Sequence, residues 1–279
     1  MSTSTTSATL KGLGECVVCG KETSVGCSKC TKAGIDWMYF CSKEHQKLIW
    51  FAHKRVCGMN PFRWPALNAN EAQDLRHLIR QPIRPWAGEI ASSKLERDLA
   101  KNPSWSMTNI VAGYEKRIKE AMKSDETNAQ DNLYQLRKLA TALFAEVEKE
   151  WTMAATLRLM VQRPLDYLAF LEALAIDHFA SDQTYAPWCS ELQHRLLITV
   201  ALVGLSYKEG DPEEERQVIW GHFQRNVIRL RLWIKERVGE THPLDSEILI
   251  GTVLQKLFIA FGIDFDATWR NGWKMVKLP

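Results

Sequence analysis

Six of the seven cysteines of this 279-residue chain, Cys16, Cys19, Cys27, Cys30, Cys41 and Cys57, crowd into residues 16–57, and His45 and His53 share that window. They fall in order as Cys16-x2-Cys19, Cys27-x2-Cys30, Cys41-x3-His45 and His53-x3-Cys57, four pairs that make up the eight ligands two tetrahedral metal sites require. Thiolate and imidazole are the structural ligands of zinc. Four protein ligands per ion leave no open position for water or substrate, so the chemistry expected is structural and not catalytic. Disulfides are the competing use of clustered cysteines. The first ten residues, almost all Ser, Thr and Ala, carry no export or presequence pattern, which leads to the expectation of a reducing cytoplasm or nucleus and of metal ligands over disulfides.

The elements that must hold these ligands follow from the spacing. Two residues between cysteines let both thiolates of one turn face one ion, and i, i+4 spacing puts two ligands about 40° apart on one helical face. On one straight helix through Cys41 and Cys57, His53 would lie roughly 18 Å along and about 120° around from Cys41, too far to share an ion. The two later pairs therefore serve different ions unless the helix breaks. Each is completed by one of the Cys-x2-Cys pairs, which favours interleaved sites over successive ones. Spacing alone leaves open which pair joins which.

The run Tyr39-Phe40-Cys41-Ser42-Lys43-Glu44-His45-Gln46, with Trp50 and His53-Lys54-Arg55-Val56-Cys57 after the two Cys-x2-Cys pairs, resembles a MYND-type zinc finger over residues 16–57. The resemblance implies one zinc on Cys16, Cys19, Cys41 and His45 and a second on Cys27, Cys30, His53 and Cys57, so two Zn2+ per chain. His45 departs from the family, which usually has Cys there; imidazole is an ordinary zinc ligand, and the first site becomes Cys3His. The resemblance also implies protein binding, commonly of short Pro-rich peptides of the PxLxP kind, by the matching Gln46 and Trp50. These two share a helical face. A Gln amide can hydrogen-bond an extended backbone, and an indole offers a flat surface to proline rings. The alternative role for Trp50 is to cover the second zinc, since it shares a stripe with His53 and Cys57 on an ideal helix.

Residues 1–60 hold eight Lys/Arg against four Asp/Glu, so the basic excess sits with the finger. Its lysines alternate with Glu44 and apolar residues and form no dense patch with base-reading side chains, which disfavours nucleic acid as partner. Six thiolates and two Zn2+ take the formal net charge from +3 to about +1, weakening that reading further.

Beyond the finger, Asn60-Pro61-Phe62-Arg63-Trp64-Pro65 reads as extended, because prolines and their predecessors avoid helix. The organisation expected is a disordered tail at 1–13, a finger at 14–58, a linker at 59–69 and an α-helical domain at 70–279, a bundle or array of six to eight helices. Leu136, Ala140, Leu143, Val147, Trp151 and Ala154 recur three and four apart, which predicts one long amphipathic helix between Leu133 and Val161. Pro164 ends it and opens a second helix closing near Ser181. Further helices are expected over Glu191 to Ser206, Glu213 to Val238 and Leu244 to Phe261. The neighbouring apolar helices favour an intramolecular partner over a coiled-coil dimer. The longest apolar stretches, such as Leu196 to Leu205, are well short of the ~20 residues that cross a bilayer, so no membrane span is expected. As separate modules, the finger should unfold on loss of Cys27 while the helical signal mostly survives.

No nucleotide loop, H-E-x-x-H or G-x-S-x-G run is present. Glu191-x-x-His194 is half of a di-iron carboxylate motif without its second half, and Cys189 reads as a buried, inert thiol. MYND-type fingers also occur in SET-type lysine methyltransferases. The Asn-His-Ser-Cys and Cys-x-Cys runs and the β-rich pattern of that class are missing, so no enzyme is expected. The functional expectation is a zinc-binding protein-protein interaction adaptor, in cytoplasm or nucleus, with transcriptional regulation as the setting that resemblance suggests.

Overall fold

The computed structural model describes residues 13–80, 107–147, 153–176, 187–206, 210–239 and 250–251. The closing of the hairpin near Ser181, the helix over Leu244 to Phe261 apart from 250–251, and the tail before Leu13 lie outside the described residues.

The finger opens on β1 (Gly14–Glu15), paired antiparallel with β2 (Glu22–Thr23), Gly14 opposite Thr23 and Glu15 opposite Glu22. A short α1 (Ser28–Lys32) and α2 (Lys43–His53) complete it. Helix α2 begins where Ser42, in extended conformation, accepts the His45 N–H on its hydroxyl, satisfying an amide that has no partner inside the helix. It ends at His53. The chain then turns, with the Val56 N–H on the His53 carbonyl at 3.0 Å, so the second helical pair is a helix end followed by a tight turn.

Seven helices follow: α3 (Ala69–Leu78), α4 (Met107–Ser124), α5 (Glu126–Val147), α6 (Met153–Gln162), α7 (Pro164–Ile176), α8 (Pro187–Ser206) and α9 (Glu213–Arg237). Strand is confined, among the described residues, to the finger. The predicted stripe of the long helix holds at Leu136, Ala140 and Leu143, all buried. Its described parts are α5 and α6; residues 148–152 between them lie outside the described set. Arg163 joins α6 to α7, and Pro164 opens α7, where its missing N–H costs no hydrogen bond.

The apolar run Leu196 to Leu205 is the middle of α8, and its character follows from its place. A helix that packs against others on every side is apolar all round. Helix α8 packs on α9, α6, α7 and α2, and Leu196, Leu197, Ile198, Val200, Ala201, Leu202 and Val203 are all buried. Gly204 lets α6 come close: a Cβ there would stand 3.0 Å from both Met160 Cβ and Val161 Cγ2.

Finger and helices share one contiguous core running from Cys16 through Phe62, Leu75 and Leu143 to Ile234. Residues 59–68, the stretch expected to connect two units, are pinned along their length. Phe62 and Trp64 are buried; the Phe62 N–H donates to Ser190 Oγ at 2.8 Å and the Trp64 N–H to Gln130 Oε1 at 2.5 Å. Glu191 pairs with Arg195 at 2.5 Å, and His194 Nε2–H donates to the Met59 carbonyl at 2.9 Å, so the half di-iron motif is spent on packing. Burial lowers the His194 ring to about 4, against a partial offset from that carbonyl, so it is neutral. Cys189 is half-buried, not fully buried as expected.

A buried ionic network closes the junction. Glu71 forms a capping box for α3 with Asn68, its N–H on Asn68 Oδ1 and its Oε2 on the Asn68 N–H, both at 2.8 Å. The same carboxylate meets Arg55 of the finger at 3.2 Å and Arg137 of α5 at 3.5 Å. Arg137 continues to Asp166 of α7 at 2.5 Å and to the Pro65 carbonyl at 2.7 Å, and Arg163 reaches Asp166 at 2.6 Å.

Candidate metal centre

The structure gathers all eight predicted ligands into two clusters. Cys16, Cys19, Cys41 and His45 form one; Cys27, Cys30, His53 and Cys57 form the other. Within each, the ligand atoms lie within 4.8 Å of one another. The partition the family resemblance implies is therefore the one the fold makes.

The first cluster is built from a knuckle and a helix start. Residues Cys16–Gly20 turn back on themselves, with the Gly20 N–H on the Cys16 carbonyl at 2.9 Å, and Cys41 and His45 flank the first turn of α2. Cys16 Sγ stands 3.6 Å and Cys41 Sγ 3.1 Å from His45 Nδ1, and Cys19 Sγ stands 3.5 Å from Cys41 Sγ. In the second cluster Cys27 caps α1, with Cys30 in its first turn. Cys57 Sγ lies 3.5 Å from Cys27 Sγ and 3.8 Å from Cys30 Sγ, and Cys30 Sγ lies 3.5 Å from His53 Nε2.

These separations test the metal. A tetrahedron with Zn–S near 2.3 Å and Zn–N near 2.0 Å has S···S edges of about 3.8 Å and S···N edges of about 3.5 Å. Most of the measured edges match, and the short Cys41–His45 edge lies within a few tenths of an ångström of them. The donor set, three sulfurs and one imidazole nitrogen in each cluster, is a structural zinc set with no place for a fifth group.

The electrostatics make the same demand. Burial pushes the Cys41 thiol up to about 12, with Cys19 and Cys16 adding to the rise. Burial raises Cys57 to about 11, Cys27 adding to it, and burial also raises Cys30. Cys41 in the first cluster and Cys30 and Cys57 in the second thus resist ionising. A divalent cation reverses that balance by holding them as thiolates. Burial would raise Cys16 as well, but the backbone N–H groups of Cys19, Cys41 and Val18, with His45, outweigh it and bring the thiol down to about 7. Burial lowers His53 to about 4, helped by His194 and Lys29, which keeps the ring neutral and its Nε2 lone pair available.

The two clusters differ in exposure. All four ligands of the second are buried, whereas in the first Cys19, Cys41 and His45 are half-buried. Several surrounding groups carried no signal in the spacing. The Gly58 N–H points at Cys30 Sγ from 3.4 Å, on a residue whose φ of +73° suits glycine. Asn226 and Arg229 of α9 reach the first knuckle, and His222 of the same helix reaches His45, all from more than 170 positions downstream.

Gln46 and Trp50 both lie on α2. Trp50 is 41% exposed and Gln46 half-buried, while Lys43, Lys47 and Lys54 are exposed around them. The Trp50 ring also meets the His53 ring edge-on at 5.8 Å, so one indole borders the second zinc site and still faces solvent.

Compared with known proteins, residues 16–57 match the family model of the MYND finger. No curated protein and no solved structure matches the chain. Residues 16–57 are thus a MYND finger carrying two Cys3His zinc sites, a protein-interaction module built onto a helical body.

Proposed function

We propose that this protein is a non-enzymatic adaptor whose finger captures extended, proline-rich peptides of the PxLxP kind on the face of α2 that carries Gln46 and Trp50. The observation that carries the reading is Trp50. Large aromatic side chains are normally withdrawn from water; among the described residues of the finger this is the exposed aromatic, and its ring is held by contact with a zinc ligand. A fixed, half-exposed indole binds a proline ring at little cost in side-chain ordering. Gln46, one turn earlier, supplies an amide for the peptide backbone. The lysines beside them suit acidic flanks. Zinc sites closed by four protein ligands offer no position for catalysis, which supports an adaptor over an enzyme. A role in transcriptional regulation, in nucleus or cytoplasm, is the setting in which such a peptide reader fits.

The test is fluorescence anisotropy with a labelled PxLxP peptide and the zinc-loaded full chain. Trp50→Ala should weaken binding at least tenfold with zinc content unchanged, and Gln46→Ala by a smaller factor. Equal binding by wild type and both variants refutes the groove.

A further inference from the structure

We propose that helix α9 is the outer shell of the first zinc site: the helical body, and not the finger alone, holds that ion, while the second ion is held by the finger itself.

Three side chains spaced along one face of α9 meet three parts of the first site. Arg229 Nη1 donates to the Cys16 carbonyl at 2.8 Å, and its other terminal nitrogen pairs with Glu15, the residue before that ligand, at 2.7 Å. Asn226 Nδ2 donates to the Val18 carbonyl at 3.0 Å, inside the loop between Cys16 and Cys19. The His222 ring stands edge-on against His45 with centroids 5.1 Å apart. The loop that presents two thiolates is thus tied by two of its carbonyls, and the imidazole that completes the site rests on a fixed ring. Groups that orient metal ligands without touching the metal govern how tightly it is held, and losing one typically costs 10–100-fold in affinity.

The second site takes its supports from nearby in the finger. The Gly58 N–H faces Cys30 Sγ, and the rings of Phe40 and Trp50 flank His53 at 6.2 and 5.8 Å. Its ligands are all buried, whereas Cys19, Cys41 and His45 of the first site are half-buried, and α9 meets that site at the Cys16 and Val18 carbonyls and at the His45 ring. The two zincs of one finger are therefore unequal, and the weaker one reports whether α9 is docked.

The experiment uses the zinc-loaded full chain. Zinc release to excess 4-(2-pyridylazo)resorcinol is followed by absorbance, and pulses of N-ethylmaleimide with mass spectrometry show which cysteines are freed. In Arg229→Ala and Asn226→Ala, one equivalent of zinc should leave 10–100-fold faster than in wild type, with Cys16, Cys19 and Cys41 alkylated while Cys27, Cys30 and Cys57 stay protected. Arg229→Lys retains a cation and a donor and should return release towards the wild-type rate. Far-UV circular dichroism checks that each variant keeps its helices; if Arg229→Ala loses them, Asn226→Ala and Arg229→Lys decide. Unchanged release in the folded variants overturns the proposal. So does equal acceleration of both equivalents with all six cysteines exposed together, which would indicate general loosening.

Discussion

Neutralising Glu71 without changing its shape isolates what its charge does at the junction. The carboxylate is 5% exposed and stands between Arg55 of the finger and Arg137 of α5, whose side chain is fully buried. Glu71→Gln keeps the volume and an oxygen for the Asn68 N–H, so the capping box survives in part. What disappears is one of two acids facing three guanidinium groups, leaving Arg137 with Asp166 alone, which it shares with Arg163. Breaking a buried pair from one side costs about 3–5 kcal/mol; with Asp166 still in place, about 2–4 kcal/mol is expected. Burial works to raise the Glu71 carboxyl, but Arg137, the Asn68 N–H and Arg55 outweigh it and hold the group below its ordinary value. The sign follows from that direction. The stabilisation is present above the unfolded carboxylate range and is lost as pH falls through the lower folded value, so the gap between variant and wild type should close in acid. Equilibrium urea unfolding at saturating zinc, read by circular dichroism from pH 7 down to the acid limit of folding, measures both. A Glu71→Gln penalty below about 0.5 kcal/mol at pH 7, or one that persists unchanged in acid, refutes the reasoning.

Elemental analysis of the purified chain should give two zincs. Chelation should also lower the melting midpoint of the helices by several degrees, each ~1 kcal/mol being worth about 2–4 °C at this size, because finger and helices share one core. A helical melt indifferent to zinc would sink that claim. Burial raises the Glu172 carboxyl to about 8, offset in part by Gln193. The unfolded chain therefore ionises first as pH rises, stability falls between about pH 4.5 and 8, and Glu172→Gln should gain up to about 3 kcal/mol at pH 7 and nothing at pH 4. Gly204→Ala places a Cβ 3.0 Å from Met160 and Val161 and should cost about 1–3 kcal/mol in urea unfolding, with zinc content unaffected.

The zinc ligands were legible because metal coordination fixes distances of a few ångströms, and that constraint is written into local spacing. The stripe Leu136, Ala140, Leu143 was legible for the same reason, being a property of one helix. Arg137 was not. It sits beside that stripe, where charge reads as solvated face, yet it is fully buried because Glu71, 66 positions away, and Asp166, 29 positions away, meet it there. Nothing in its neighbours announces either partner. The Asn68-x-x-Glu71 box is a readable helix start. It is masked by two prolines that make residues 59–69 read as spacer, although Met59, Phe62, Trp64, Pro65, Ala66 and Asn68 of that stretch all have backbone groups hydrogen-bonded. His222 is a single histidine on a long helix, with no spacing to mark it, and only the tertiary fold puts it on His45.

The way the finger is seated bears on what remains free to bind. Its Cys16 and Val18 carbonyls are taken by α9. Trp37 is packed by His194 edge-on at 5.9 Å and by the Arg195 guanidinium at 4.6 Å, and the Met59 carbonyl is taken by His194. Each of these groups would otherwise face water at a desolvation cost on burial, and each has been given a partner from the helical body. Trp50 has been given its neighbour from within the finger and keeps 41% of its surface exposed. If the helical body existed only to bury the finger, this indole, the largest apolar side chain of α2, would be the first to gain from cover. The Trp50 face stays open while the polar carbonyls around the first zinc are covered: one surface of the finger is an internal joint, and the other is the one to which the proposed peptide binding is assigned.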